Sequence, residues 1–130
     1  MIGIVIVAHG RLAEEYRAAM EHVVGPLDGV RTIAIAVDDD RSAKQSEICD
    51  AADAVDRGAG VIVVVDMFGG SPSNLSIKAC NPRNRRIMYG ANLPMLIKLA
   101  KSRHRPVTEA VDASLAAAHK YIDSMSVGTP

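Results

Sequence analysis

The segment Ile2-Gly-Ile-Val-Ile-Val-Ala8 is an unbroken apolar run, most of it β-branched. A strand with one face in water alternates apolar and polar side chains. A run with no polar member suits a central strand of a parallel sheet, covered by helices on both faces. Val61–Val65 repeats the pattern with valine and isoleucine alone. Two such strands commit the chain to an α/β architecture, because only helices packed on both sides of the sheet can bury them.

The rest of the chain supplies those helices. Leu12, Tyr16, Ala19, Met20 and Val23 recur at helical spacing, and Gly25-Pro26 stops the segment. Residues 30–37 read as a second strand. The carboxylates of Asp38, Asp39 and Asp40 then offer N-caps for a helix over 42–57, which Gly58 and Gly60 end. After Val65 comes Asp66-Met-Phe-Gly-Gly-Ser-Pro-Ser-Asn74, leading into a helix through Ile77 and Ala79. Residues 86–89 form a short fourth strand, residues 95–102 a further helix, and residues 108–120 the last. Strands alternating with helices predict a doubly wound, three-layer α/β sandwich around a mainly parallel four-stranded sheet with right-handed crossovers. At 130 residues this is one domain, 1–130.

Charge and cysteine usage remove several function classes. Fifteen basic and fifteen acidic residues cancel, so the total draws the chain to neither nucleic acid nor an anionic membrane, and a charged partner has to be met locally. The basic stretches 83–86 and 101–105 lack interleaved aromatics and read as solvated faces or turns, not as a nucleic-acid surface. Cys49 and Cys80 are far apart and outside any metal or redox spacing, which predicts reduced, partly buried thiols. No apolar stretch approaches the roughly 20 residues that span a bilayer. The chain opens on a strand without a basic leader, so a cytoplasmic location is expected.

Parallel sheets bind ligands outside the carboxyl ends of their strands. His9, Asp38, Asp66 and Gly90 all fall at predicted strand ends, so this edge is where chemistry is expected. His9 is followed by Gly10, which leaves an imidazole at the rim with little cover. A neutral imidazole nitrogen attacks phosphorus when a carboxylate holds the proton on the other ring nitrogen, and Asp66 is the natural partner. Gly69-Gly70-Ser71-Pro72 places outward amides and a hydroxyl before a helix, an arrangement suited to a phosphoryl group. It equally suits an ordinary strand-to-helix turn capped by Ser71 or Ser73. His22, His104 and His119 lie on or beside helices and read as solvated or structural. No metal site and no cofactor is expected.

With Ala8-His9-Gly10, the segment from Asp66 to Asn74, and Gly90-Ala-Asn-Leu-Pro-Met95 in register, the chain resembles the mannose-type IIA component of the bacterial phosphoenolpyruvate-dependent sugar phosphotransferase system. The resemblance runs over nearly the whole length. It implies a phosphotransferase that accepts a phosphoryl group on His9 from the histidine-containing phosphocarrier protein and passes it to a IIB component. It further implies that Asp66 orients the ring, leaving Nε2 to attack, and that Ser71 with the amides of Phe68, Gly69 and Gly70 receives the phosphoryl oxygens. Gly10, Asn92, Pro94 and Met95 are the expected partner contacts. Association with a membrane IIC/IID permease follows from the same likeness. So does a homodimer in which residues 121–127 form an antiparallel strand exchanged between subunits. The tail stops without a linker, so a separate IIA polypeptide is expected.

Three other readings accompany it. A stand-alone IIA can act as a regulatory phosphoprotein, signalling through the state of His9. A phosphotransfer subunit for dihydroxyacetone kinase shares a histidine at the same strand end. A small tetrapyrrole chelatase also begins with an apolar strand ending in His-Gly, but needs a second histidine at another strand end.

Overall fold

The computed structural model describes residues 1–67, 71–82 and 84–128. Among the described residues four strands form one sheet, all parallel: β1 (Gly3–His9), β2 (Val30–Ile35), β3 (Val61–Val65) and β4 (Arg85–Met88), in the order β2-β1-β3-β4. Five helices cover it: α1 (Leu12–Val24), α2 (Arg41–Val55), α3 (Ser71–Ser76), α4 (Leu93–Lys101) and α5 (Val107–Lys120), with a 3-10 turn at Lys78–Cys80 after α3.

The two valine- and isoleucine-rich runs are the central strands, and their alternation divides the core in two. Ile4, Ile6, Ile62 and Val64 point to one face, against Met20 of α1, Leu96 and Leu99 of α4 and Val111 of α5. Val5, Val7, Val63 and Val65 point to the other, against Ile48 and Ala52 of α2 and Leu75 of α3. Every one of these strand residues is at most 1 % exposed. Burying one such side chain stabilises by about 1.5–3 kcal/mol. Exposed ion pairs such as Arg11–Glu14 and Arg11–Glu15 contribute about 0–1 kcal/mol each, so strand burial decides the fold.

Several element ends differ from the sequence reading, each for a local polar reason. β2 ends at Ile35, short of residue 37, because the Asp39 carboxylate accepts the Ala36 N–H at 2.6 Å and turns the chain out of the ladder. Asp40 is the cap of α2, accepting the Ala43 N–H at 3.0 Å. That helix stops at Val55, not 57, where Asp56 takes the Gly58 N–H. α4 begins at Leu93, two residues early, because Asn92 caps it and Pro94 fits its first turn. Residues 122–127 form neither helix nor strand in the single chain.

Two arginines read as solvated are structural. The Arg85 side chain is 6 % exposed and joins β4 to the end of α2 through Asp53 at 2.9 Å and Asp56 at 3.0 Å. Arg103, 5 % exposed, donates to the carbonyls of Ile2 and Gly29 and so ties the amino ends of β1 and β2 to the turn after α4.

Gly3 packs directly against the end of α2: a Cβ there would overlap the carbonyl oxygen of Val55. Gly3→Ala is therefore expected to destabilise the fold by about 1–3 kcal/mol, the usual range for overpacking. A lowered urea midpoint at unchanged slope is the expected readout, and wild-type stability would show that α2 is free to move away.

Candidate functional site

The strand order sets the site. α1 leaves β1 toward one face of the sheet and α3 leaves β3 toward the other, so the carboxyl ends of these neighbouring strands border an open crevice. The ladder pairs Val7 with Val65, which brings together the residue two past the first and the residue one past the second. These are His9 and Asp66.

Asp66 Oδ2 accepts the His9 backbone N–H at 3.0 Å and lies 2.8 Å from ring Nδ1, while Oδ1 accepts the Met67 N–H at 2.9 Å. Burial, the largest influence, works to raise the Asp66 pKa. The amide, ring and charge of His9, with the Met67 amide, together outweigh it and hold the carboxyl below its ordinary 3.8. Asp66 is thus ionised at neutral pH. An ionised carboxylate only accepts, so the shared proton belongs to Nδ1 and the lone pair to Nε2. The His9 side chain is 52 % exposed and that of Asp66 12 %. The arrangement is a fixed carboxylate beneath an accessible nucleophilic nitrogen, suited to attack on an electrophile arriving from solvent.

Gly10 completes the presentation. Its φ of +57° is left-handed, and its N–H continues the ladder to the Ile35 carbonyl at 3.0 Å. The chain can therefore turn away directly after His9, and a Cβ there would meet nothing within 4 Å.

Ser71 opens α3, which begins at the same edge of the sheet, and is half-buried. The expected phosphoryl ligands Phe68, Gly69 and Gly70 lie outside the described residues. Asn92 Oδ1 accepts the Met95 N–H and its Nδ2 donates to the Ala118 carbonyl, both at 3.0 Å, so this side chain braces α4 against α5. Pro94 is half-buried at the head of α4. Met95 is 1 % exposed, so its side chain belongs to the core and does not face a partner. Asp38 and Gly90, expected at strand ends, lie in the loops three residues past β2 and two past β4, and form no hydrogen bond or ion pair with His9 or Asp66.

One neighbour was not legible as part of the site. Tyr16, read only as an apolar helix position, donates its hydroxyl to the Ala91 carbonyl at 3.0 Å. The Ala91 N–H in turn reaches the Val65 carbonyl at 3.2 Å, the residue before Asp66. Burial, then the negative charge of Asp66, raises the Tyr16 pKa and keeps the phenol a donor. Helical spacing carried no hint of this contact across 75 positions.

The other reactive side chains stay out of the crevice. His22 and His119 lie in α1 and α5, and His104 follows α4, so none supplies the second strand-end histidine that a chelatase requires. Both cysteines are free and half-buried, and burial pushes the Cys80 thiol up to about 11, which keeps it protonated at neutral pH.

Known proteins share this architecture. Residues 3–119 match the family EIIA-man, described as "PTS system fructose IIA component". A phosphotransferase-system EIIA component from Streptococcus agalactiae is 24% identical and superposes with a TM-score of 0.85, over 95% of this chain and 97% of that one. The mannose/sorbose-specific IIA subunit from Enterococcus faecalis is 23% identical at a TM-score of 0.86, covering 99% and 98%. A IIA protein associated with the fucose utilization operon of Streptococcus pneumoniae is 26% identical at a TM-score of 0.80, covering 93% and 91%. With the family match leaving out only the first two and last eleven residues, the chain belongs to the mannose/fructose-type IIA family of the sugar phosphotransferase system.

Proposed function

We propose that this protein is a phosphohistidine carrier, a single IIA domain over residues 1–130 that takes a phosphoryl group on Nε2 of His9 and hands it on. The observation that carries this reading is the 2.8 Å contact from His9 Nδ1 to an ionised, half-buried Asp66 beneath a ring that is 52 % exposed. The donor is the histidine-containing phosphocarrier protein and the acceptor a IIB component. The Nε2 lone pair attacks the donor's phosphorus, and the Nε2–P bond forms as the donor's N–P bond breaks. The proton stays on Nδ1. The ring gains positive charge as the bond forms, and the Asp66 carboxylate, already in contact, stabilises it without moving.

Ser71 and the amides of residues 68–71 are proposed to receive the phosphoryl oxygens. Gly10, Asn92 and Pro94 border the edge at which the donor and acceptor arrive. Among the described residues no helix is long and apolar enough to cross a membrane. On the family reading the protein works in the cytoplasm, with a IIC/IID permease in the membrane. The homodimer belongs to the same proposal. Ile122, Met125 and Val127 are 69 %, 83 % and 86 % exposed, and residues 121–127 would bury them as a strand added to the partner's sheet.

Incubation with phosphoenolpyruvate, enzyme I and the phosphocarrier protein is expected to add one acid-labile phosphoryl group, read by intact mass. His9→Ala should abolish the gain. Label that survives this substitution would overturn the site assignment, and an unlabelled wild type would overturn the function.

Asp66→Asn should slow transfer by about 10²–10⁴-fold, the range for loss of an orienting carboxylate. The amide cannot replace the carboxylate, because in either orientation its NH2 faces an N–H donor, that of His9 or of Met67. Ring ¹⁵N shifts should show the Nδ1–H tautomer giving way to a mixture, and unchanged shifts and rate would remove the orienting role.

Because the Asp66 pKa is depressed by folding, its contribution to stability is complete above the ordinary value of 3.8 and is lost only as pH falls through the lower folded value. The Asp66 ¹³C carboxyl titration should therefore have its midpoint below 3.8, and a midpoint at or above it would contradict the hydrogen-bonding scheme.

A further inference from the structure

The outer side of the α4–α5 pair holds a groove of about 700 Å³. Its floor is apolar, built from Ile97 of α4 and Ala113, Ala116 and Ala117 of α5, with Pro94 and Tyr121 at one end. Its rim is entirely cationic: Lys98, Lys101, Arg105 and Lys120 line it, and no carboxylate does. Arg105 has Glu109 at 3.8 Å. Among the described residues Lys98, Lys101 and Lys120 have no carboxylate within ion-pair distance; Lys120 Nζ instead stands 5.6 Å from the Tyr121 ring. Arg11, Arg17, Lys44, Arg57 and Arg85, in contrast, each sit against a carboxylate. In a chain whose charges sum to zero, this is a local positive excess beside an uncovered apolar floor.

We propose that the α4–α5 groove docks an acidic amphipathic helix of a partner protein. The alanine floor leaves room for an apolar ridge of the incoming helix to lie close between α4 and α5. Carboxylates flanking that ridge would face the lysines on either side, so charge and shape select the same ligand. The nine residues of α4 run for about 13 Å, which matches two to three turns of a docked helix. Basic and nucleic-acid ligands fit less well: the rim repels the first, and the floor offers no aromatic platform for bases apart from Tyr121 at its end. The groove touches the candidate transfer site only at Pro94, so this surface does not depend on the chemistry of His9.

The test uses a fluorescein-labelled helical peptide with leucines at i, i+3, i+4 and i+7 and glutamates elsewhere, titrated by anisotropy with the full chain. Its counterparts are the same peptide with lysine for glutamate and a single-stranded oligonucleotide. The glutamate peptide is expected to bind roughly tenfold or more tighter than the lysine peptide, and to weaken at high salt. Its ¹H–¹⁵N shift changes should be confined to α4 and α5. The exposed double substitution Lys98→Glu/Lys101→Glu should weaken binding roughly tenfold or more while leaving the spectrum folded and labelling by phosphoenolpyruvate intact. Equal binding of both peptides, a response only to the oligonucleotide, or binding unaffected by the double substitution would overturn the proposal. So would signals of Ile97, Lys101 and Ala113 that shift with protein concentration alone, apart from the changes at residues 121–127 that the proposed dimer brings, since the groove would then hold a second copy of the chain.

Discussion

The register between β1 and β3 is the constraint on which the site depends. Val7 lies opposite Val65, and both strands are buried on both faces, so slipping the pair by one residue would exchange the two core faces. Packing therefore fixes to within one residue where each strand ends. The first residues free of the double cover are the ones that meet, and the 2.8 Å contact of His9 with Asp66 follows from core packing rather than from any attraction between the two. The pair is held by burial worth several kcal/mol per residue pair, far more than a half-exposed imidazole–carboxylate contact provides.

The same geometry explains why the two members differ in exposure. Asp66 is followed directly by Met67, whose amide joins that of His9 in filling the carboxylate's acceptor sites, and the group is drawn down to 12 % exposure. His9 is followed by Gly10, whose left-handed φ takes the chain away from the ring. A transient carrier needs this asymmetry. A buried imidazole would be out of reach of two successive partners, while a fully solvated carboxylate would be too screened to fix the tautomer or to answer the charge that develops on the ring.

What could be read in the sequence was whatever repeats or stands next to its cause. Ile2, Ile4, Val5, Ile6 and Val7 announce a doubly covered strand by composition alone, and α1 was bounded correctly because Gly25-Pro26 follows it directly. The meeting of His9 with Asp66 was legible because a strand end is a local feature and parallel topology brings such ends to one edge. The misread features are long-range and polar. Arg85 and Arg103 look like turn cations until the fold places carboxylates and carbonyls beside them. Met95 belongs to the segment Gly90 to Met95 that supported the resemblance, but its side chain serves the core. Tyr16 is legible as a helix position and illegible as a neighbour of Asp66, since no periodicity connects α1 to the β4–α4 loop.

The strand edge and the outer helix layer also separate two kinds of surface. The crevice at the ends of β1 and β3 is built from one half-buried carboxylate and the backbone amides of His9 and Met67, with the charge directed at a single ring. The outer side of α4 and α5 carries its charges on exposed lysine stems around an alanine floor, and among the described residues none of these lysines has a carboxylate within ion-pair distance. Charges of the first kind act over one hydrogen bond and tolerate no displacement; those of the second act over about 8 Å at physiological salt and tolerate a great deal. A carrier that meets partners in succession gains from keeping the two apart. Recognition can then be altered by exchanging surface cations on α4 and α5, while the register that holds His9 over Asp66, fixed by the core, stays as it is.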